Sequence, residues 1–266
     1  STAAPRPAAT TRLSGPATAG AVLGLATLAA LALGVPVVAL TSRLIAGLRG
    51  GLDLGELAAA AGATAWVGLL GAVLAVALAL PVAVLAARYR GARTGIVETA
   101  SYSGHALPGV VVGLSLVFLT LAIAPRLYQS IAVLALAYAV LFLPKAIGSA
   151  RAAIETVPPT LEHVARSQGR SARGAFGSVT ARIAAPGIAA GGLLVMVTAM
   201  KELPATLMLR PTGFETLATE MWSRTAVAAY GAAAPYALAL VLVAAVPAAL
   251  LARGVVPDRD GVRLDA

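Results

Sequence analysis

The sequence contains no cysteine and only two histidines, His105 and His163, which stand 58 residues apart. A disulfide framework, a thiolate metal site and a cysteine nucleophile are thereby excluded, as is the H-x-x-x-H spacing of a helical zinc protease. There is no G-x-x-x-x-G-K-[ST] phosphate loop and no G-x-S-x-G nucleophile elbow, so the residues give no sign of ATP hydrolysis or serine hydrolysis by this chain. Charge is scarce too. Only 12% of the residues are charged, against about 25% in a soluble domain.

The charges that do occur are clustered, and they leave six uncharged stretches of 18 residues or more, at 13–42, 57–87, 99–125, 127–144, 183–200 and 225–252. About 20 apolar residues in a helix cross a hydrocarbon core roughly 30 Å thick. The pattern predicts an all-α membrane protein with six transmembrane helices, near 17–40, 57–87, 106–124, 128–147, 186–209 and 232–252. A Pro/Ala/Thr-rich tail or linker at 1–16 precedes this six-span domain (17–252), and a polar tail at 253–266 follows it. Pro36 and Pro81 fall inside the first two spans, where membrane helices accept proline as a kink. The first apolar stretch exceeds the roughly 7 to 15 residues of a signal peptide's core. A chain beginning with Ser1 reads as processed or cut from something longer.

The net charge of +9 comes from basic residues in short segments between spans. That arrangement fits a membrane surface, with no basic face for nucleic acid. Alternate loops divide the 20 Lys and Arg into fourteen on one side, Lys145 among them, and five on the other, with Lys201 inside the fifth span. By the positive-inside rule both termini lie in the cytoplasm.

The longest basic segment, about 158–185, is patterned. Pro158 and Pro159 stop what precedes them. Thr160 can cap a short helix whose Leu161, Val164 and Ala165 share one face, Gly169 suits its end, and Ser171 can cap a second short helix bearing Ala172, Ala175, Phe176 and Val179. The alternative is an amphipathic loop resting on lipid headgroups.

Six spans with both ends inside and a glycine-centred loop before the fifth resemble the membrane subunit of a binding-protein-dependent ABC importer, of type I (MetI-like) architecture. The family's loop motif runs EAA, three residues, Gly, nine residues, I-x-L-P. Here His163, Val164 and Ala165 stand at EAA with Glu162 one place earlier, Gly169 matches, and Val179, Ala181 and Arg182 stand at Ile, Leu and Pro. GHALPGVVVGLSLVF from Gly104 and KELPATLMLRPTGFETLATEMW from Lys201 are similar to the second half of fused, twelve-span iron(III) transport permeases.

The resemblance implies a permease that does not hydrolyse ATP. ATP and Mg would be bound by separate ATP-binding cassette subunits, contacted through Glu162, His163, Val164, Ala165 and Gly169. A second six-span half, an extracytoplasmic substrate-binding protein and membrane lipid complete the expected partners; nucleic acid is not among them. The expected cargo is ferric iron, with thiamine, polyamine, sulfate and molybdate as alternatives within the same architecture, and the expected location is the bacterial plasma membrane. No metal site or cofactor is expected in this chain, whose spans offer no cluster of metal ligands.

Lys201 and Glu202 stand out because an ionisable residue in a span is costly and usually faces protein or a water-filled path. With Pro204 and Thr206 they make the expected translocation path or gate, Pro204 freeing the carbonyl of Met200. His105 sits beside the LPG break, and Trp222 and Tyr230 are expected at the outer interface. Two other classes stay open at this point: an ion-gradient-driven secondary transporter, and an intramembrane enzyme, which the missing motifs disfavour.

Overall fold

A computed structural model describes residues 14–48, 51–89, 91–103 and 107–255. Arg90, His105 and nearly all of the two expected tails lie outside the described residues. All described regular structure is helical. Helix α1 (Gly15–Ala29) passes through a π turn, Ala30–Gly34, into α2 (Val35–Leu48). The widened turn contains Ala32, whose carbonyl the ring of Pro36 would strike in a regular helix, so the expected kink takes this form.

Helix α3 (Leu54–Arg88) is capped by Asp53, whose carboxylate accepts the amides of Gly55 and Glu56. After it come α4 (Ala92–Ser103), α5 (Gly109–Ile123), a short 3₁₀ turn and α6 (Ile131–Glu155). The surface corner is α7 (Pro159–Ser167) and α8 (Ala172–Ala175), which runs through a second π turn, Phe176–Thr180, into α9 (Ala181–Ala199). Two short helices, α10 (Pro204–Leu209) and α11 (Leu217–Ala226), lead to α12 (Tyr230–Val255).

The centre of the bundle is α3 against α6, with α9 packed on both. The buried residues of α3 are mostly small, including Ala72, Ala75, Ala79 and Ala83. Membrane helices associate through close backbone approach, since lipid tails are as apolar as leucine and give no hydrophobic drive. Gly71 shows why: a Cβ there would lie 2.7 Å from the Cβ of Tyr138, a fully buried residue of α6. Helix α2 packs on α12, where the Arg43 guanidinium lies over the Tyr230 ring.

Among the described residues five helices, against the six expected, are long and apolar enough to cross a bilayer: Gly15–Gly47, Leu54–Arg88, Ile131–Glu155, Ala172–Ala199 and Tyr230–Ala252. The third expected span contains the 15-residue helix Gly109–Ile123, about 21 Å long and short of a core of roughly 30 Å. The break expected at the LPG sequence lies within the uncharged run 99–125. Pro108 supplies no amide and disfavours helical geometry at Leu107, which separates α4 from α5.

The fifth span is also displaced from expectation. It begins at Ala172 and ends at Ala199, with Pro186 inside it and with Lys201, Glu202 and Pro204 beyond its end. The second short helix expected after Ser171 is therefore the first turns of this span. Lys145, counted with the basic residues of one side although the fourth expected span (128–147) contains it, is inside α6.

Candidate functional site

Two corners frame the bundle. At one end of α3, Glu56 pairs with Arg224 of α11 and the Thr64 hydroxyl accepts the amide of Leu217. At its other end, Arg88 reaches α7. The 35 residues of α3 separate these corners by about 50 Å.

The α7 corner is built by local sequence. Pro158 occupies the N-cap and Pro159 the first helical position, so α7 starts without a side-chain cap and Thr160 lies within it rather than capping it. The C-terminus closes in a Schellman motif: the Gly169 amide donates to Arg166 O at 3.0 Å and the Arg170 amide to Ala165 O at 3.3 Å. Gly169 has φ of +86°, a conformation that favours glycine. Ser171 caps α8 by accepting the Gly174 amide.

Inside this corner Glu162 is held by two groups that sequence reasoning missed. The Arg88 guanidinium donates to the Glu162 carboxylate at 2.8 Å and to Val157 O at 3.0 Å, and the buried Thr180 hydroxyl donates to the same carboxylate oxygen. Ala165 also faces inward. His163, Val164, Arg166 and Ser167 are exposed, and His163, Arg166, Ser167 and Arg170 line an open polar cleft. The corner thus turns its carboxylate towards the bundle and its basic residues outward. Nothing in a single sequence signals that Arg88, 74 positions away, meets Glu162.

The second constellation lies where α9 ends. Pro204 has no amide for the Met200 carbonyl, and here, unlike at Pro186, the helix ends before the proline. The chain tightens instead: the Lys201 amide bonds Thr198 O and the Glu202 amide bonds Ala199 O. The expectation of a proline kink within one span is replaced by a complete break, after which the Glu202 carboxylate accepts the Ala205 amide at 3.2 Å, the Thr206 amide at 3.1 Å and the Thr206 hydroxyl at 3.1 Å.

Thr206 is buried and shares a 2.6 Å hydrogen bond with the Tyr138 hydroxyl of α6. Helix α5 arrives at the same point. A Cβ on Gly109, its first residue, would stand 2.5 Å from Glu202 Oε1. Glu202, Pro204 and Thr206 therefore belong to one structural knot joining α5, α6 and α10, while the Lys201 side chain is exposed beside it.

The far corner holds a charged cluster that sequence reasoning also missed. Arg224 donates to Glu56 at 2.6 Å, to Glu220 at 3.1 Å and to the Tyr236 hydroxyl at 2.8 Å, tying α11 to α3 and α12. Burial works against the charge of Arg224, but Tyr236, Glu56 and Glu220 outweigh it and raise its pKa. Trp222 and Tyr230 are about half exposed at this end. Among the described residues no three or more His, Cys, Asp or Glu gather closely enough to hold a metal ion.

The glycine-turned corner thus feeds directly into a long apolar helix of the bundle. Residues 79–255 match the family of binding-protein-dependent transport system inner membrane components. The chain belongs to this family. It is a multi-pass inner-membrane permease subunit of ABC importers.

The Fe(3+)-transport system permease protein FbpB 2 of Haemophilus influenzae is 40% identical over 223 residues, which cover 83% of this chain and 44% of that protein. This chain therefore spans less than half the length of that relative. Among solved structures, the MetNI methionine ABC transporter in inward-facing conformations contains a chain that superimposes with a TM-score of 0.58 at 15% identity, over 76% of this chain and 99% of its own. That likeness carries the fold alone.

Proposed function

We propose that this permease is one six-span half of an ATP-driven importer of ferric iron, coupled to separate ATP-binding subunits through the α7 to α8 corner. The observation that carries the reading is the continuity of that corner with the bundle. Glu162 is tied to the end of α3 by Arg88, and α8 runs through the Phe176–Thr180 turn into α9 without a break. A push on α7 has a rigid route into two membrane helices. Cargo identity draws on the 40% identity to the iron permease; thiamine, polyamine, sulfate and molybdate are the competing cargoes.

In this reading α4 and α5 together make the sixth span, interrupted at Pro108, where Leu107 and Pro108 are exposed on this chain and the second permease half would cover them. The α7 corner and both termini face the cytoplasm. With Lys145 assigned to a span, the basic residues still divide thirteen to five in favour of that side. The six-span domain is 17–252, with the tails at 1–16 and 253–266. Glu162 and Ala165 brace the corner from within, His163 and Val164 meet the ATP-binding subunit, and Gly169 sets the turn. The knot of Glu202, Pro204 and Thr206, with Lys201 beside it, lies along the path. A second permease half and an extracytoplasmic binding protein complete the assembly, in which the ATPase supplies the sites for ATP and Mg.

The test is uptake of radioiron into proteoliposomes containing the whole assembly, with binding protein added outside. Accumulation that requires internal ATP and survives collapse of ion gradients supports the proposal. Accumulation driven by a gradient without ATP hydrolysis makes the protein a secondary transporter and overturns it. ATP-dependent uptake of thiamine, a polyamine, sulfate or molybdate in place of iron replaces the cargo and leaves the machine.

A further inference from the structure

The α7 corner carries two clefts of different character. The first, lined by His163, Arg166, Ser167 and Arg170, is polar throughout and suits the protein partner proposed for it. The second is an open cavity of about 470 Å³ walled by the last turns of α3, by α7 and by the start of α8. Arg88, the last residue of one apolar span, and Ala172, the first of another, both line it. The cavity therefore stands where two membrane-crossing helices end, bordering the headgroup layer of the bilayer.

Its walls are of two kinds. Val84, Tyr89 and Phe176 supply apolar and aromatic surface, and Arg88, Arg166 and Arg173, with His163, supply the basic groups. Glu162 is the one carboxylate among the described residues that line it, and Arg88 and the Thr180 hydroxyl already hold it. Arg166 and Arg173 are exposed and have no ion pair among the described residues. Two guanidinium groups without a carboxylate thus stand around one cavity, beside an apolar wall. A guanidinium presents a fork of donors that matches the oxygens of a phosphate. An acidic protein surface would answer the arginines and leave Val84 and Phe176 unmatched, whereas a molecule with a phosphate at one end and hydrocarbon at the other answers both walls.

We propose that this cavity binds one anionic phospholipid of the cytoplasmic leaflet, with its phosphate held by Arg166 and Arg173 and the upper part of an acyl chain against Val84 and Phe176. Basic pockets between membrane helices on the cytoplasmic side are the places where anionic headgroups are captured. The inference rests on the reading of the α7 corner as the cytoplasmic coupling element. Because the cavity is walled by α3, α7 and α8 together, the bound lipid braces the elements through which that corner meets the bundle. The lipid charge of the membrane then bears directly on coupling.

The test is a titration of phosphatidylglycerol into the delipidated whole transporter in neutral detergent, with bound lipid counted by native mass spectrometry and phosphatidylcholine run in parallel. The unaltered protein should prefer phosphatidylglycerol by about tenfold or more, and Arg166→Gln and Arg173→Gln should each weaken that binding by about tenfold, the scale of losing a charged hydrogen bond. Phe176→Ala keeps every charge and should weaken it by about fivefold through lost apolar contact. Arg170→Gln alters the polar cleft and not this cavity, so lipid binding should be unchanged. No preference over phosphatidylcholine, or an equal loss in Arg170→Gln, overturns the site and leaves only a general attraction to a basic surface. Displacement of the lipid by millimolar inorganic phosphate, with no effect of Phe176→Ala, makes the cavity a simple anion site and overturns the lipid. Loss of the ATP-binding subunits from the Gln variants with lipid binding intact gives the arginines to the protein interface and overturns the proposal as well. If a Gln variant fails to assemble, the comparison of the two lipids and Phe176→Ala still decide. Arginine-dependent lipid binding in an assembly that shows no ATP-dependent uptake keeps the site and removes the importer reading instead.

Discussion

Glu162 and Glu202 are both carboxylates folded back onto a helix, yet they are stabilised by opposite means. Glu162, at the surface corner, is paired with a cation, Arg88, and braced by Thr180. Glu202, at the break after α9, has no cation among the described residues and is satisfied by two amides and a hydroxyl at the start of α10. The difference follows from position. The Arg88 and Glu162 pair, largely buried within the corner, joins the end of α3 to α7. The Glu202 carboxylate instead uses helix N-terminal amides, which provide both hydrogen bonds and a favourable dipole. In the proposed function the corner transmits movement, whereas the break joins α5, α6 and α10.

That contrast can be tested by breaking each side. The largest effect is expected at the turn of the corner. Gly169→Val forces a β-branched residue to φ of +86°, so α7 cannot close onto α8; transport should be abolished, and ATPase subunits should either fail to co-purify or hydrolyse ATP without the binding protein. Normal transport by this variant would show that the corner is not the coupling element.

Next is Glu202→Gln. An amide group presents donors to the Ala205 and Thr206 amides where a carboxylate presented acceptors, leaving at least one buried donor unmatched at about 1–3 kcal/mol. Thermal denaturation of the detergent-solubilised protein should fall by several degrees. Gly109→Ala attacks the same knot from α5, because its Cβ would displace Glu202 Oε1, and it should reproduce part of that loss. If Gly109→Ala is silent while Glu202→Gln is not, the carboxylate holds α10 alone and not α5.

A smaller effect is expected from the Arg88 and Glu162 pair, whose side chains are 14% and 20% exposed. A double-mutant cycle with Arg88→Met and Glu162→Gln should give a coupling of about 0.5–2 kcal/mol in stability. Each single variant should also weaken the link between ATP hydrolysis and transport. Additive effects would mean that Glu162 does not communicate with α3. The smallest effect belongs to Tyr138→Phe, which removes the hydroxyl bonded to Thr206; about 1 kcal/mol, or a few degrees in melting temperature, is expected with transport largely retained.

The sequence made the membrane class, the position of the basic corner and the turn at Gly169 legible, because each rests on local pattern: uncharged runs, paired prolines, and a glycine at a helix end. It misjudged features set by tertiary geometry. The LPG break before the third span was legible, but the short helix α4 ahead of it and the start of α5 at Gly109 rather than at 106 were not. Lys201 and Glu202 look intrahelical by spacing, yet Pro204 ends the helix before them. Lys145 was counted with the basic side although it fell near the end of the expected fourth span, and α6 continues past it to Glu155. The residues that complete the sites, Arg88 with Thr180, Tyr138 with Thr206, and Arg224 with Glu56 and Tyr236, are joined across distances in sequence that no periodicity reveals.

The opposition of the two corners across α3 is the central claim, since coupling requires the α7 end to face ATP and the α11 end to face the arriving cargo. The absence of native cysteine makes single-cysteine labelling unambiguous. Ser167 and Thr212 are both exposed, one at the end of α7 and the other in the loop between α10 and α11. In intact cells expressing the assembled transporter, Thr212→Cys should react with a membrane-impermeant thiol reagent, and Ser167→Cys should react only after the membrane is opened. Labelling of Ser167→Cys from outside, or protection of Thr212→Cys until permeabilisation, would contradict the account.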